Sequence, residues 1–225
     1  MKIWHISDTH TYTNMLSLPA DIDMVIHSGD ATNYRDPYKN EKEMRDFITW
    51  LDKLPVKHKV FVAGNHDTSI ENNLVTKYEF ENLGIHYLYM DTIEIEGLKL
   101  WGSPYCPTFG NWSFMKSRES IGRKVWDFMD TEADIVITHT PPKGILDLSY
   151  HGKDLEFCGC NSLLHKIMEV QPLLHCFGHI HNTKSPVFNA GTRTLTGIQT
   201  IFSNGTCVTD GKFGRSMTNG NVINL

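Results

Sequence analysis

The stretch "VAGNHDTS", residues 62–69, ends a run of strand-forming residues on Gly64, Asn65, His66 and Asp67. These residue types resist the continuation of a strand. A turn requires only the glycine, so the asparagine and the histidine need another explanation. In isolation the four residues could also begin a helix, with Asn65 or Asp67 as its N-cap. The rest of the sequence decides between a helix cap and a functional site.

The composition is that of an ordinary globular protein. Of the 225 residues, 40% are hydrophobic and 21% are charged, which provides enough apolar material for one sizeable core. We therefore expect a single domain over residues 1–225. The formal net charge of −5 gives no sign of a cationic surface for a nucleic acid polymer, although bound divalent cations would change the charge of a site locally.

Cysteine usage and hydropathy favour a cytoplasmic protein. The five cysteines are odd in number and form no C-x-x-C pair, which fits neither a disulfide framework nor a zinc finger. No apolar run approaches the roughly 18 residues of a membrane span, and the start "MKIWHISDTH" lacks the pattern of a signal peptide. We expect no membrane partner. The sequence carries no indication of the oligomeric state.

Short apolar runs alternate with amphipathic segments along most of the chain. The runs at residues 2–7, 24–28, 59–63, 135–138 and 173–177 predict buried strands. Apolar residues recur at helical spacing in three sets: Met44, Phe47, Ile48 and Leu51; Ile121, Val125, Phe128 and Met129; Leu163, Leu164, Ile167 and Met168. This alternation predicts an α/β fold with largely parallel strands. A hairpin predicted around Glu96 and Gly97 makes the sheets mixed.

A polar motif follows each of the five predicted strands. The motifs are Asp8-Thr9-His10, Gly29-Asp30, Gly64-Asn65-His66-Asp67, His139 and Gly178-His179-Ile180-His181. Because the carboxyl ends of parallel strands share one edge of a sheet, we expect these motifs to converge in space. Each motif alone has a plain interpretation as a strand-end turn or helix start. Five of them in succession favour a metal site.

The residue types in these motifs suit a hydrolytic metal site. Carboxylate, imidazole and amide oxygen form a mixed set that fits Mn²⁺, Fe or Zn²⁺ better than Ca²⁺. Cysteine is absent from the set, and seven candidate ligands exceed the four of a structural zinc site. The sequence therefore predicts two divalent ions that share one carboxylate, the usual arrangement for hydrolysing phosphate esters. His5, His27 and His175 lie inside predicted strands and are expected to be hydrogen-bonded core residues.

The order of the motifs resembles that of the calcineurin-like metallophosphoesterase superfamily. The motifs are D-x-H, G-D, G-N-H-D, a histidine after a strand, and G-H-x-H. Three stretches are most similar to the metallophosphoesterase-domain-containing (MPPED) family. They are "GSPYCPTFGNWSF" (102–114), "THTPPKGILD" (138–147) and "CGCNSLLHKIMEVQPLLHCFGHIH" (158–181). The resemblance implies a four-layer αββα sandwich of two mixed β-sheets flanked by helices. It also implies a metal-dependent phosphodiesterase activity, including activity on cyclic nucleotides.

The resemblance also implies a distribution of the ligands between two ions. One metal would be held by Asp8, His10, Asp30 and His181, and the other by Asp30, Asn65, His139 and His179. The expected ions are Mn²⁺, with Fe, Zn²⁺ or Co²⁺ as alternatives. The side-chain oxygen of Asn65 would bind a cation without adding negative charge, which eases the entry of an anionic phosphate.

The resemblance makes His66 the catalytic residue rather than a ligand. It would donate a proton to the leaving oxygen or stabilise charge on the ester, and a turn histidine bonded to the main chain is the plain alternative. Asp67 is expected to cap a helix or to support the ligands by hydrogen bonds. Trp112 could stack on a nucleotide base or pack in the core. Asn65, His66 and Trp112 are therefore the predicted substrate-binding residues.

Two positions depart from the family pattern. In the protein-phosphatase branch a carboxylate three residues after the bridging aspartate pairs with the catalytic histidine, whereas this sequence has Asn33 there. A protein Ser/Thr phosphatase is therefore disfavoured. Thr140 stands where the MPPED pattern has glycine, and its side chain could narrow the pocket beside His139.

The sequence thus predicts a hydrolase of small phosphodiesters. We expect a dinuclear phosphodiesterase in which a metal-bridged hydroxide attacks a 2′,3′- or 3′,5′-cyclic nucleotide. One alternative is a nuclease acting on DNA or RNA ends, which the lack of a basic tract disfavours. An alternative of another class is a non-catalytic, metal-binding interaction scaffold. Such scaffolds tend to lose the catalytic histidine or the ligands, which this sequence retains.

Overall fold

The computed structural model describes residues 1–151, 153–182, 188–209 and 216–225. The strands are β1 (Lys2–Ile6), β2 (Met24–His27), β3 (His58–Phe61), β4 (Ile85–Tyr87), β5 (Asp91–Ile95), β6 (Leu98–Ser103), β7 (Cys106–Pro107), β8 (Met115–Lys116), β9 (Ile135–Thr138), β10 (Leu148–His151), β11 (Asp154–Phe157), β12 (Leu174–Phe177), β13 (Gly191–Arg193), β14 (Ile201–Asn204), β15 (Val208–Thr209), β16 (Ser216–Met217) and β17 (Asn221–Asn224). The helices are α1 (Pro37–Asp52), α2 (Thr68–Glu71), α3 (Lys77–Glu81), α4 (Ile121–Lys124) and α5 (Asn161–Val170). No helix within the described ranges is long and apolar enough to cross a membrane.

Two mixed sheets form the centre of the fold. The strand order is β17-β1-β2-β3-β4 in the first sheet and β13-β14-β12-β9-β6-β5 in the second. Strands β1 to β4 are parallel, as are β6, β9, β12 and β14, whereas β17, β5 and β13 join as antiparallel edges. The five predicted strands and the hairpin between β5 and β6 are confirmed to within two residues.

The side chains of the central strands alternate between two apolar clusters. Ile3 of β1 and Ile135 and Ile137 of β9 belong to the cluster between the sheets. Their neighbours Trp4 and Val136 belong to the cluster that includes the buried faces of α1 and α5. Because successive strand residues point to opposite faces, this alternation places the sheets face to face with helices outside. The expected αββα sandwich is confirmed.

Helix α1 supports the loop that carries the candidate site. It begins after Asp36, whose carboxylate caps the helix by accepting from the main-chain N–H of Lys39 at 3.0 Å. On its buried face, the amide of Asn40 donates to the carbonyl oxygens of Tyr34 and His66, each at 2.8 Å. The same amide group accepts, through its oxygen, from the main-chain N–H of Ser69 at 3.0 Å. Formation of α1 therefore fixes the chain around His66.

One predicted helix is wrong in extent. The apolar spacing of Ile121, Val125, Phe128 and Met129 predicts one continuous helical face, but α4 ends at Lys124 and a 3₁₀ turn follows at Trp126–Phe128. Val125 has φ −132° and ψ −62°, which interrupts the helix. Phe128 consequently points outward and is 64% exposed, whereas the other three residues are buried.

We expect the substitution Phe61→Ala in β3 to lower the free energy of unfolding by about 3–5 kcal/mol. Phe61 is fully buried and stacks on Phe80 with ring centroids 5.1 Å apart. Removing the ring leaves a cavity that the sheet cannot fill. Urea unfolding of the metal-free protein measures the effect. Phe128→Ala removes the same ring from an exposed position and should cost less than about 0.5 kcal/mol. Equal losses in the two variants would contradict the described core.

Candidate metal centre

The predicted motifs meet at the carboxyl ends of the parallel strands. The Nε2 atom of His181 lies 3.1 Å from an oxygen of Asp8, although the two residues are 173 positions apart. The Nε2 atom of His139 lies 3.3 Å from an oxygen of Asp30 and 3.1 Å from the side-chain oxygen of Asn65. The first sheet contributes the residues that follow β1, β2 and β3, and the second contributes those that follow β9 and β12. The expected convergence of these side chains is observed.

Asp30 lies between two groups of potential ligands. Its Oδ2 atom is 3.3 Å from His139 Nε2 and 4.0 Å from His10 Nε2. The ligand atoms of Asp8, His10 and His181 all lie within 4.8 Å of one another, and so do those of Asp8, Asp30 and His139. A carboxylate in this position can contact two neighbouring cations. The assignment of the individual ligands remains a prediction.

His179 joins the site through both its main chain and its ring. Its N–H donates to the two carboxylate oxygens of Asp8 at 3.1 and 2.9 Å. Its ring centroid lies 5.0 Å from that of His139. All seven candidate ligands are thus within one cluster at the strand ends.

Cys106 is a potential ligand that the sequence analysis left out. Its sulfur and ring nitrogens of His139 and His179 lie within 4.8 Å of one another. The residue is fully buried, and burial raises the pKa of its thiol well above the ordinary value, as do the charges of Asp30 and Asp8. Cys106 follows β6, whose parallel pairing with β9 brings its carboxyl end to the same edge. The sequence signal for this position was the strand pattern "LKLWGS" (98–103), which Pro104 ends two residues before Cys106.

The ring orientations fit a divalent cation. His10 Nδ1 lies 3.0 Å from the carbonyl oxygen of Thr32, and His139 Nδ1 lies 2.9 Å from that of Ser28. Because a carbonyl oxygen can only accept, each Nδ1 must donate, which leaves Nε2 of the neutral ring with a lone pair. These Nε2 atoms face the interior of the cluster. Metal-binding histidines are oriented by the same type of hydrogen bond to the main chain.

Charges in the metal-free site compensate one another. Burial alone would raise the pKa of Asp30, but the neighbouring His139 and His66 lower it well below the ordinary value. Burial opposes protonation of His139, yet the charge of Asp30 and their hydrogen bond raise its pKa to about 9. A proton on His139 therefore compensates Asp30 in the absence of metal. A bound cation would take over this role.

Several candidate ligands have an unusual backbone conformation. The φ angles of Asp8, His10, Asp30 and His179 are 52°, 43°, 57° and 68°. Residues other than glycine seldom adopt this left-handed conformation, which typically costs about 1–3 kcal/mol each and persists where surrounding structure enforces it. Such strain is concentrated at functional sites in proteins.

Asp67 supports the cluster by hydrogen bonds. Its carboxylate accepts from the main-chain N–H groups of Asp30 at 3.0 Å, Gly64 at 2.7 Å and Thr32 at 3.1 Å. Burial and the charge of Asp30 raise the pKa of Asp67 to about 7, although the hydrogen bonds from the Gly64 N–H and the Thr32 hydroxyl oppose the shift. Asp67 precedes α2 but makes no side-chain cap to it. The expected hydrogen bonds to the loop are therefore observed, whereas Asp67 occupies the N-cap position of α2 without a capping hydrogen bond from its side chain.

His66 is held at the edge of the cluster with its ring accessible. Its N–H donates to Asp30 Oδ1 at 2.7 Å, and the ring centroid lies 4.3 Å from that of Trp112. The ring Nδ1 is 3.4 Å from the carbonyl oxygen of Asn33, a long contact. The ligand atoms of His66, His10 and Asp30 also lie within 4.8 Å of one another. The geometry therefore allows His66 either to bind a metal or to lie beside one.

Trp112 lies at the mouth of the site rather than in the core. It lines a cavity of 180 Å³ together with Asp30, Asn65, His66, Phe109, Ser149, His179, Ile180 and His181. The Arg35 guanidinium carbon lies 3.8 Å from the centroid of the Trp112 ring, and Arg35 Nη2 donates to Asn111 O at 2.8 Å. The sequence offered no pattern that singled out Arg35. Its stacking restrains the indole next to His66.

The strand histidines are separate from the cluster of potential ligands. His5, His27 and His175 are fully buried, and their ring nitrogens contact hydroxyls of Ser203 and Ser28, of Thr9, and of Thr138 respectively. Burial lowers the pKa of each to about 3. They are neutral core residues, as predicted.

Comparisons with known proteins identify a family. A family model described as calcineurin-like phosphoesterase matches residues 1–183. Human and mouse metallophosphoesterase domain-containing protein 1 are each 33% identical over 199 residues, which is 78% of this chain and 59% of theirs. The UPF0046 protein K07C11.7 of Caenorhabditis elegans is 31% identical over 88% of this chain and 70% of its own. The crystal structure of TT1561 of Thermus thermophilus superposes with a TM-score of 0.61 at 16% identity and covers 90% of this chain and 88% of that one.

Two face-to-face mixed sheets, with histidines and carboxylates gathered at their strand ends, are typical of metallophosphoesterases. The family match includes all seven candidate ligands, and the similarity in sequence extends over most of the chain. The chain belongs to the calcineurin-like phosphoesterase family, as its motifs predicted. It spans 59% of the length of the human and mouse relatives.

We expect Gly64→Ala to retain less than about half of the divalent metal that the wild type binds when both are loaded with Mn²⁺. An added Cβ would overlap Asp30 and would lie 2.7 Å from His139 Cε1, so the central carboxylate must move. Elemental analysis after Mn²⁺ loading and desalting measures the content. Gly122→Ala is the control, because its Cβ would lie 3.4 Å from Ser162 in ordinary contact. Full metal content in Gly64→Ala would contradict the described packing.

We expect the metal-free protein to lose stability as the pH falls from 6.5 to about 4. His5, His27 and His175 have a pKa of about 3 when folded and 6.5 as the ordinary value, so the unfolded chain binds more protons in this range. Burial lowers the pKa of His10 to about 4 and that of His179 to about 3, so these two groups act in the same direction. Asp67 and His139, with pKa values raised to about 7 and about 9, act in the opposite direction but are two groups against five. Urea unfolding in EDTA at several pH values measures the trend. Stability that stays constant or increases would contradict it.

Proposed function

We propose that the chain is a dinuclear, metal-dependent phosphodiesterase whose substrate is a nucleotide, with 2′,3′- or 3′,5′-cyclic nucleotides as the first candidates. The observation that carries the proposal is the position of Asp30. Its Oδ2 atom lies within 4.0 Å of His10 Nε2 on one side and 3.3 Å of His139 Nε2 on the other. A carboxylate between two sets of nitrogen and oxygen donors is suited to two cations.

The chain's own residues would bind the ions and orient the phosphate. Asp8, His10, Asp30 and His181 would hold one ion, and Asp30, Asn65, His139 and His179 the other. Two divalent cations held there would lower the pKa of water from about 15.7 towards about 7 and offset charge on the phosphoryl oxygens. Mn²⁺ is our first choice because the donor set mixes imidazole with carboxylate and amide oxygens.

His66 would assist the departure of the leaving group. Water would attack phosphorus in line and release one proton to solvent, so that a new P–O bond forms while the P–O bond to the leaving oxygen breaks. The ring of His66 would donate a proton to that oxygen. Its partial exposure and its position beside the cluster support this role. The Trp112 ring, 4.3 Å away, would restrain the imidazole.

The electrostatic balance of the site favours an anionic ester. Two divalent cations with the carboxylates of Asp8 and Asp30 would leave a net positive charge, because Asn65 contributes none. A phosphodiester is attracted to such a site, and the cavity edges formed by Trp112 and Phe109 offer aromatic faces to a base. The family relatives carry names that specify a metallophosphoesterase domain and no substrate. The free thiols at all five cysteines support a reducing, cytoplasmic location.

A substrate panel tests the reaction. With Mn²⁺ we expect hydrolysis of bis-p-nitrophenyl phosphate and of 2′,3′- or 3′,5′-cyclic AMP, and weaker hydrolysis of p-nitrophenyl phosphate and single-stranded DNA. Release of p-nitrophenol and chromatography of nucleotides measure the rates. Activity confined to the monoester would contradict the phosphodiesterase. Less than one equivalent of metal with no turnover would favour a non-catalytic scaffold.

Two neighbouring substitutions should have different effects. His66→Ala should lower kcat by about 10²–10⁴-fold while the Mn²⁺ content stays near that of the wild type, because the residue acts on the substrate. Asn65→Ala should lower both the activity and the Mn²⁺ content, because a donor to the second ion is lost. His165→Ala, on the exposed surface of α5, is the matched control and should change neither. Loss of metal from His66→Ala would make His66 a ligand.

A further inference from the structure

A second, larger cleft adjoins the candidate metal centre. The cavity above the potential ligands measures 180 Å³ and the neighbouring cleft measures 610 Å³. Phe109, Ser149, His179 and Ile180 line both, so the two spaces are continuous at the candidate ligand His179. Binding sites for small molecules typically measure about 300–1,000 Å³. A nucleotide that reaches the metal centre must therefore place much of its bulk in the cleft.

Arg118 presents a positive charge to this cleft. Its Nη1 and Nη2 atoms donate to the carbonyl oxygens of Gly159 and Cys158, each at 3.1 Å, which fixes the plane of the guanidinium. These bonds use two of its five N–H donors. Among the described residues, no carboxylate lies within ion-pair distance of Arg118. A planar cation held by carbonyls alone is suited to bind a phosphate.

Lys143 adds a second cation to the same cleft. Its main-chain N–H donates to the carbonyl oxygen of Cys160 at 3.2 Å, which fixes the position of the backbone. No carboxylate in the described ranges forms an ion pair with its ammonium group. Within the part of the chain that the structure describes, Glu156 is the one acidic residue that lines the cleft. The described lining thus carries two cations and one carboxylate, and the carboxylate of Asp147 behind it is buried and accepts from the N–H groups of Gly144 and Gly159.

Aromatic side chains lie beside these cations. Tyr150 of β10 and Phe157 of β11 line the cleft and are 48% and 52% exposed. The antiparallel register pairs Tyr150 with Leu155 and Leu148 with Phe157, so Tyr150 and Phe157 share one face of the hairpin. Aromatic faces next to cations are the chemistry that binds a base together with a phosphate.

We infer that this cleft binds a second phosphate of the substrate, so that the preferred substrate is a nucleotide phosphodiester that carries a further phosphate group. The reacting diester lies over the metal centre, and the further phosphate binds Arg118 and Lys143 while the base contacts Tyr150 or Phe157. This inference rests on the proposed function. The inference goes beyond the proposed function because it selects a 5′-phosphorylated nucleotide over a cyclic mononucleotide that lacks a second phosphate.

Binding of nucleoside phosphates tests the inference directly. Calorimetry compares adenosine 3′,5′-bisphosphate with adenosine 3′-monophosphate, which carries only the phosphate at the reacting position, on the Mn²⁺-loaded wild type and the double variant Arg118→Ala/Lys143→Ala. We expect the double variant to lose about 10- to 100-fold in affinity for the bisphosphate and less than about 3-fold for the monophosphate. The control is Arg123→Ala/Lys124→Ala, which removes two exposed cations that do not line the cleft and should leave both affinities unchanged.

A conservative variant separates charge from folding. Lys143→Arg keeps both cations and leaves the guanidinium of Arg118 on its two carbonyls, so it should retain the bisphosphate affinity to within about 5-fold of the wild type. Equal losses for both nucleotides, or the same loss in the control variant, would overturn the inference. Absence of turnover with every phosphodiester would overturn the proposed function instead, because the binding measurement does not depend on turnover.

Kinetics provide a second readout. For 2′,3′-cyclic AMP and its 5′-phosphorylated form, the wild type should have the lower KM with the phosphorylated substrate. The double variant should raise that KM by about 10-fold or more and leave kcat for the unphosphorylated substrate unchanged. A wild-type enzyme that does not distinguish the two substrates would also overturn the inference.

Discussion

The carboxylate of Asp30 is the group around which the rest of the site is built. One oxygen accepts from the N–H of His66 at 2.7 Å, and the other faces His139 and His10. A buried carboxylate is costly unless neighbouring groups compensate its charge. Here imidazoles provide the compensation in the metal-free protein, and their ring nitrogens are oriented so that cations could replace the protons. Asp67 then fixes the main chain of Asp30 from the opposite side by accepting its N–H at 3.0 Å.

The site also depends on the packing of one sheet on the other. Asp8, Asp30 and Asn65 follow strands of the first sheet, whereas His139 and His179 follow strands of the second. The apolar cluster between the sheets, which includes Ile3, Val62, Ile137 and Leu174, therefore sets the distances between the two groups of ligands. A ligand that binds only the folded state adds to its stability, so metal binding and sheet packing must be coupled.

Much of this arrangement could be predicted from the sequence, because the strands are apolar runs buried on both faces and the polar motifs directly follow them. The backbone conformations of the site could not be predicted from the sequence, because tertiary contacts enforce the positive φ angles of four residues. These residues are Asp8, His10, Asp30 and His179. Cys106 was missed because β6 was read only as part of a hairpin, whereas it also pairs in parallel with β9. The outward position of Phe128 was missed because spacing alone does not reveal the break at Val125. Arg35 and Arg118 are recognisable only once the chain is folded, because each acts through a residue far away in the sequence.

The most direct test of the account is anomalous diffraction at the manganese edge from crystals of the Mn²⁺-loaded protein. The account predicts two peaks about 3.5–4 Å apart, one on each side of Asp30, with Asp8 and His181 beside the first and Asn65 and His139 beside the second. A single peak, or a pair of peaks that Asp30 does not contact, would contradict it.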